Sequence, residues 1–152
     1  MVVVEFRLNG RDVRVDVEPN EILLDTLRHR LGVKSVKRGC ERGECGVCTV
    51  LVNGEPVYSC MLLTVQVSGA EVTTVEGLQN DSLFKEIVDS FIEHGAIQCG
   101  YCTPAILLTV YALLKKKPKP TREDIVKALE GNLCRCTGYK KIMDAIMYLA
   151  TK

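Results

Sequence analysis

The sequence predicts an α+β protein in two parts, a small mixed sheet packed on one helix followed by a helical bundle. Three observations carry this. Apolar residues alternate with a period of two through much of the first half. Two Asn-Gly pairs sit between alternating segments, where tight hairpins require them. After Gly77 the apolar period changes to that of a helix.

In residues 2–17, Val2, Val4, Phe6 and Leu8 alternate with Val3, Glu5 and Arg7. Asn9-Gly10 supplies a two-residue type I′ turn, and Val13, Val15 and Val17 alternate with charged residues. Pro19-Asn20 stops the strand. Asn20 can cap a helix whose Leu24, Leu27 and Leu31 share one face, with Gly32 as its stop. A second hairpin runs from Thr49 to Val52 and from Pro56 to Ser59, turning at Asn53-Gly54, and Glu71–Val75 is a further strand. In the second half, Leu83-Phe84, Ile87-Val88 and Phe91-Ile92 recur at helical spacing until Gly95. Thr103-Pro104 reads as an N-cap followed by proline in the first turn. The helix it opens is apolar nearly all round until Lys115, so it is expected to be the buried one. The run KKKPKP at 115–120 breaks it and reads as a solvated helix end and linker. Thr121 and Asp124 form a capping-box pattern for a helix through Glu130, and Tyr139 to Ala150 completes a fourth helix. The boundary between the two parts falls near 76–80.

The chain has 152 residues, 47% of them hydrophobic, which suffices for one average domain or two small ones with packed cores. A net charge of +1 gives no electrostatic case for nucleic acid. The longest apolar run, Ala105 to Leu114, is about half the ~20 residues that cross a bilayer, so no transmembrane segment is expected. The N-terminus MVVVEFRLNGRD lacks the pattern of a Sec-type signal peptide. These features predict a cytoplasmic protein whose thiols stay reduced.

That gives weight to the eight cysteines: Cys40, Cys45, Cys48, Cys60, Cys99, Cys102, Cys134 and Cys136. Metal ligation, rather than a disulfide framework, is the reading for a chain of this size and core. They form two sets of four, separated by the cysteine-free stretch 61–98. The first, Cys40-x4-Cys45-x2-Cys48 with Cys60 further on, has the plant-type spacing of [2Fe–2S] ligands. A diamond of two irons and two sulfides needs two thiolates per iron, and a loop supplying three of them must wrap tightly. Gly39, Gly43 and Gly46 permit positive φ and close backbone approach, which lets amides point at the sulfurs. A structural zinc site usually shows two C-x2–4-C pairs rather than one three-cysteine loop. The second set, Cys99-x2-Cys102 and Cys134-x-Cys136, is less diagnostic, and zinc remains an alternative for it. Its cysteines lie at helix ends, where unpaired amides suit an anionic cluster.

Three motifs together, GCERGECGVCTV at 39–50, QCGYCTP at 98–104 and GNLCRCTGY at 131–139, resemble the iron–sulfur small subunit of the molybdenum hydroxylases. That is the family of xanthine oxidase, aldehyde oxidoreductase and aerobic carbon monoxide dehydrogenase, and the resemblance covers nearly the whole chain. It implies a β-grasp, plant-type [2Fe–2S] ferredoxin-like domain over residues 1–77. A helical, four-helix-bundle domain with a second [2Fe–2S] cluster would occupy 78–152. Gln98 would hydrogen-bond the pterin of a molybdopterin cofactor in a large partner subunit, and Cys136 would be the ligand nearest that pterin. The first cluster would face an FAD-binding medium subunit, in a heterotrimer or a dimer of heterotrimers. One position departs from the family pattern: QCGYCTP usually continues with glycine, and here Ala105 follows.

The chain carries no nucleophile or acid–base constellation, and His29 and His94 lie beside charged residues as surface groups. The implied role is therefore electron transfer in an oxidoreductase complex, with no catalytic residues in this chain. A stand-alone ferredoxin-like carrier or redox sensor would use the same first cluster. A zinc-stabilised interaction module is the third class.

Overall fold

A computed structural model describes residues 1–152. Strands β1 (Val2–Leu8), β2 (Arg11–Val17), β3 (Thr49–Val52), β4 (Glu55–Tyr58) and β5 (Glu71–Thr73) form one sheet in the order β2-β1-β5-β3-β4. β1 and β5 are parallel, in the register Arg7↔Glu71 and Leu8↔Val72, and the other pairs are antiparallel. Both hairpins turn where the sequence places them. Asn9 and Gly10 have φ of 52° and 80°, Asn53 and Gly54 of 51° and 82°, the left-handed pairs a type I′ turn needs.

The first helix differs from the sequence reading in both its start and its pitch. α1 comprises Leu23–Asp25, continued by the π-helical residues Thr26–Arg30, and its N-cap is Ile22 rather than Asn20. The reason is tertiary. Ile22 is held extended by a bridge to Leu63, and Leu23 N–H donates to the Leu62 carbonyl at 2.8 Å, so the chain cannot coil earlier. The wide turn closes where Leu31 N–H reaches back to the Thr26 carbonyl at 3.0 Å. Leu23, Leu24 and Leu27 are completely buried against Val4, Phe6, Val17, Val50 and Val72 of the sheet, and Leu31 is only partly covered.

Four further helices follow: α2 (Ser82–Glu93), α3 (Thr103–Lys116), α4 (Arg122–Leu129) and α5 (Lys140–Thr151). Their core contains Ile87 and Phe91 of α2, Ile106 and Leu108 of α3, Ile125 of α4, and Ile142 and Ile146 of α5. α3 is the most enclosed, as its apolar circumference requires. It starts one residue earlier than the sequence reading, with Cys102 rather than Thr103 at the N-cap. α4 is capped reciprocally by Thr121 and Asp124, as the sequence reading expected.

β3 is the seam between the two cores. Successive strand residues point to opposite faces, so Val50 packs with α1 and the sheet while Leu51 packs with the helices. Asn9 fastens the segment between the two parts: its carboxamide exchanges hydrogen bonds with Thr74, at 2.9 Å to the hydroxyl and 2.8 Å from the amide N–H.

Candidate metal centres

The first cysteine loop is shaped by its glycines, for two different reasons. Gly43 and Gly46 have φ of 74° and 70° and provide the curvature. Gly39 lacks a positive φ but has no room: a Cβ there would meet Cys45 Sγ at 2.7 Å and Val47 at 2.8 Å. The amides that curvature aims at sulfur belong to neighbouring residues. Glu44 and Cys45 N–H lie 3.3 Å from Cys40 Sγ and Arg42 N–H 3.5 Å, while Cys40 N–H lies 3.4 Å from Cys45 Sγ. Cys60 sits in the short 3-10 turn after β4 and, like Cys48, is buried.

The thiols meet in twos. Cys40 lies by Cys45 and Cys48 by Cys60, while in the second set Cys102 feels Cys134 most and Cys99 less, and Cys136 feels Cys99 most and Cys134 less. No three His, Cys, Asp or Glu side chains gather around one point as ligands of a single ion do. The backbone amides of Arg42, Cys45 and Glu44 hold the Cys40 thiol down to about 6, which favours the thiolate that binds metal. Burial pushes Cys48 and Cys102 up to about 12, so those sulfurs would carry charge only against a cation. Paired thiols, sulfur-directed amides and buried sulfurs that need a counter-charge fit a [2Fe–2S] cluster in the first loop.

The second set lies at two helix starts. Cys102 stands at the N-cap position of α3 without a side-chain capping bond, and the loop 131–138 carries Cys134 and Cys136 into α5. Thr137 Oγ1 donates to Cys134 Sγ at 3.1 Å. Tyr139, in a left-handed conformation at φ 67°, turns its hydroxyl back to accept from Cys134 N–H and to donate to the Asn132 carbonyl, both at 3.0 Å. Cys99, Cys136 and Gln98 are exposed on one rim of the chain. Ala105, by contrast, is buried within this chain at 2% exposure.

The structure also joins the two cysteine sets, which the sequence reading missed. Leu133 N–H donates to the Cys45 carbonyl at 2.9 Å, so one hydrogen bond links the residue before Cys134 to Cys45 itself. Tyr58 O–H reaches the Gly131 carbonyl at 3.1 Å, and Tyr101 O–H reaches the Arg38 carbonyl at 2.5 Å. Asn132 Nδ2 donates to the Gly46 carbonyl at 3.2 Å. Asn132 and Tyr101 lie inside the GNLCRCTGY and QCGYCTP motifs, which was the available signal. The histidines differ from each other: His29 is exposed, but His94 is half-buried, its ring 5.3 Å from that of Tyr148 and its Nδ1 2.8 Å from the Ser90 carbonyl.

Comparison with known proteins bears on the same two halves. Residues 6–78 match the model of a 2Fe-2S iron-sulfur cluster binding domain, and 74–147 match that of a [2Fe-2S] binding domain. The nicotinate dehydrogenase small FeS subunit of Eubacterium barkeri is 48% identical over 97% of this chain and 94% of its own length. The chain belongs to the iron–sulfur small subunits of the molybdenum hydroxylases. The nicotine 6-hydroxylase small subunit of Paenarthrobacter nicotinovorans is 42% identical over 96% of this chain and 88% of its own. Quinoline 2-oxidoreductase of Pseudomonas putida 86 superposes with a TM-score of 0.92 at 42% identity, covering 98% of this chain and 92% of that one. Aldehyde oxidoreductase of Desulfovibrio desulfuricans ATCC 27774 gives 0.92 at 39% identity, with 99% of this chain matching only 17% of that longer one.

The family member described here is accordingly a non-catalytic, electron-transfer subunit of an oxidoreductase, with a ferredoxin-like [2Fe–2S] fold. The domain matches decide against structural zinc in either half. No helix is long and apolar enough to cross a membrane.

Proposed function

We propose that Cys40, Cys45, Cys48 and Cys60 hold one [2Fe–2S] cluster and that Cys99, Cys102, Cys134 and Cys136 hold a second. Cys40 with Cys45, and Cys48 with Cys60, would each serve one iron of the first. Cys99 with Cys136, and Cys102 with Cys134, would do so in the second. The observation that carries this is the curled first loop, whose backbone amides point at Cys40 and Cys45 sulfur, beside a second cysteine set gathered at the starts of α3 and α5. When bound, the clusters supply one-electron steps that pass electrons from a molybdopterin centre in a large partner subunit to FAD in a medium one.

This chain's own residues then have distinct tasks. The amides around Cys40 stabilise negative charge on sulfur. Burial of Cys48 and Cys60 keeps water from the inner edge of the first site. Gln98 and Cys136 are exposed, which leaves them free to meet the pterin at a large-subunit interface. Residues 1–77 act as a β-grasp domain and 78–152 as a four-helix-bundle domain, within a cytoplasmic heterotrimer or dimer of heterotrimers.

Replacing Cys45 with serine in the intact complex tests the assignment. Electron paramagnetic resonance of the reduced enzyme should lose one [2Fe–2S] signal and keep the other. Retention of both signals would overturn it. Gln98→Ala should keep both signals yet slow reduction of the clusters by substrate at least tenfold, and unchanged reduction rates would remove Gln98 from the interface.

A further inference from the structure

The GNLCRCTGY motif contains a buried polar side chain that ligation does not account for. Asn132 is 4% exposed, stands two residues before Cys134, and reaches three elements at once. Its Nδ2 donates to the Gly46 carbonyl at 3.2 Å and to Thr49 Oγ1 at 3.3 Å; these residues directly follow Cys45 and Cys48. Its Oδ1 lies 3.0 Å from Thr109 Oγ1, whose one proton is shared with the Ala105 carbonyl at the same distance, on the helix that begins after Cys102. Its backbone carbonyl accepts the Tyr139 hydroxyl that also receives Cys134 N–H. One side chain therefore ties the first cysteine loop to both segments that carry the second set.

The orientation of the carboxamide is forced. Gly46 offers a carbonyl, which can only accept, so the amino end must face it. Thr49 spends its own hydroxyl proton on that carbonyl at 2.6 Å, which leaves its oxygen free to accept from Asn132. Gly46 is shaped for this approach, since a Cβ there would run into the Gly131 carbonyl and lie 2.9 Å from Asn132 Nδ2. Aspartate at 132 would set oxygen against oxygen at Gly46, and alanine would leave the Gly46 contact unmade.

We propose that Asn132 is the positioning residue that fixes the separation of the two clusters, through the contact of its carboxamide with Gly46 and Thr49. This rests on the two-cluster ligand assignment above. Dipolar coupling between two paramagnets falls as the cube of their separation, so small shifts of one loop against the other are readable. The experiment uses the whole complex carrying Asn132→Asp, with iron and sulfide counted first and the fully reduced enzyme then examined by low-temperature electron paramagnetic resonance.

With both clusters loaded, the splitting between their signals should change by about a third or more. The core variant Ile87→Val, remote from both loops, should lower thermal stability and leave the splitting as in the wild type. Wild-type splitting in fully loaded Asn132→Asp would overturn the proposal while leaving the ligand assignment intact. If that variant does not load, Thr49→Val, which keeps the Gly46 contact and removes the second acceptor, should show a smaller change. Wild-type splitting there would overturn the proposal equally. Wild-type enzyme lacking two [2Fe–2S] signals would instead overturn the ligand assignment on which the proposal stands.

Discussion

Single residues do different work here even when they are of the same type, and glycine is the clearest case. Gly46 and Gly54 share the left-handed conformation, with φ of 70° and 82°. A Cβ at Gly54 would meet nothing within 4 Å, whereas at Gly46 it would collide with the Gly131 backbone. Gly54→Ala should therefore cost only the conformational strain, about 1–2 kcal/mol. Gly46→Ala adds a backbone collision between the cysteine loops and should cost about 3 kcal/mol or more. Thermal or denaturant unfolding of the two variants checks the ordering, and equal losses would refute it. Tyr58→Phe is a gentler probe of the same contact. It removes the hydrogen bond to the Gly131 carbonyl and should cost about 1 kcal/mol with both clusters retained. Iron content together with unfolding reads both quantities.

The secondary elements differ in how far local sequence decides them. Each hairpin was legible because an Asn-Gly pair stands between alternating runs, and each pair takes the two positive φ angles the turn needs. The start of α4 was legible because Thr121 and Asp124 satisfy each other's exposed amides within four residues. Thr121→Ala should therefore cost about 1 kcal/mol and leave the metal content unchanged, which unfolding and iron analysis would show. The start of α1 was not legible, because Ile22 is held extended by Leu63, a residue far along the chain. Spacing alone suggests the two cysteine sets, yet the contacts between their loops could not be read from it. Those contacts run largely to backbone carbonyls, as from Asn132 to Gly46 across 86 residues, and a carbonyl acceptor leaves no mark on the sequence.

For the whole molecule, the seam between the two halves is largely made of the segments that carry cysteines. The 38–49 loop, Tyr58, Tyr101 and the 131–133 segment supply its main polar contacts, and β3 contributes Leu51 to the helical core. Under the proposed ligand assignment, metal binding and the docking of the halves would be coupled, since loops released from a metal lose part of what orders them. Removing iron with a chelator under reducing conditions should expose residues 38–48 and 131–138 to proteolysis before α2 or α3. Limited digestion followed by mass spectrometry would reveal this, and first cleavage within the helical core would contradict it.

The central claim is two [2Fe–2S] clusters per chain inside a molybdenum-containing complex. Its most direct test is elemental analysis of the tagged chain, purified gently from its host with whatever accompanies it. Two [2Fe–2S] clusters predict about four irons and four acid-labile sulfides per chain, with close to one molybdenum in the co-purified complex. Zinc in place of iron, with no acid-labile sulfide, would contradict it.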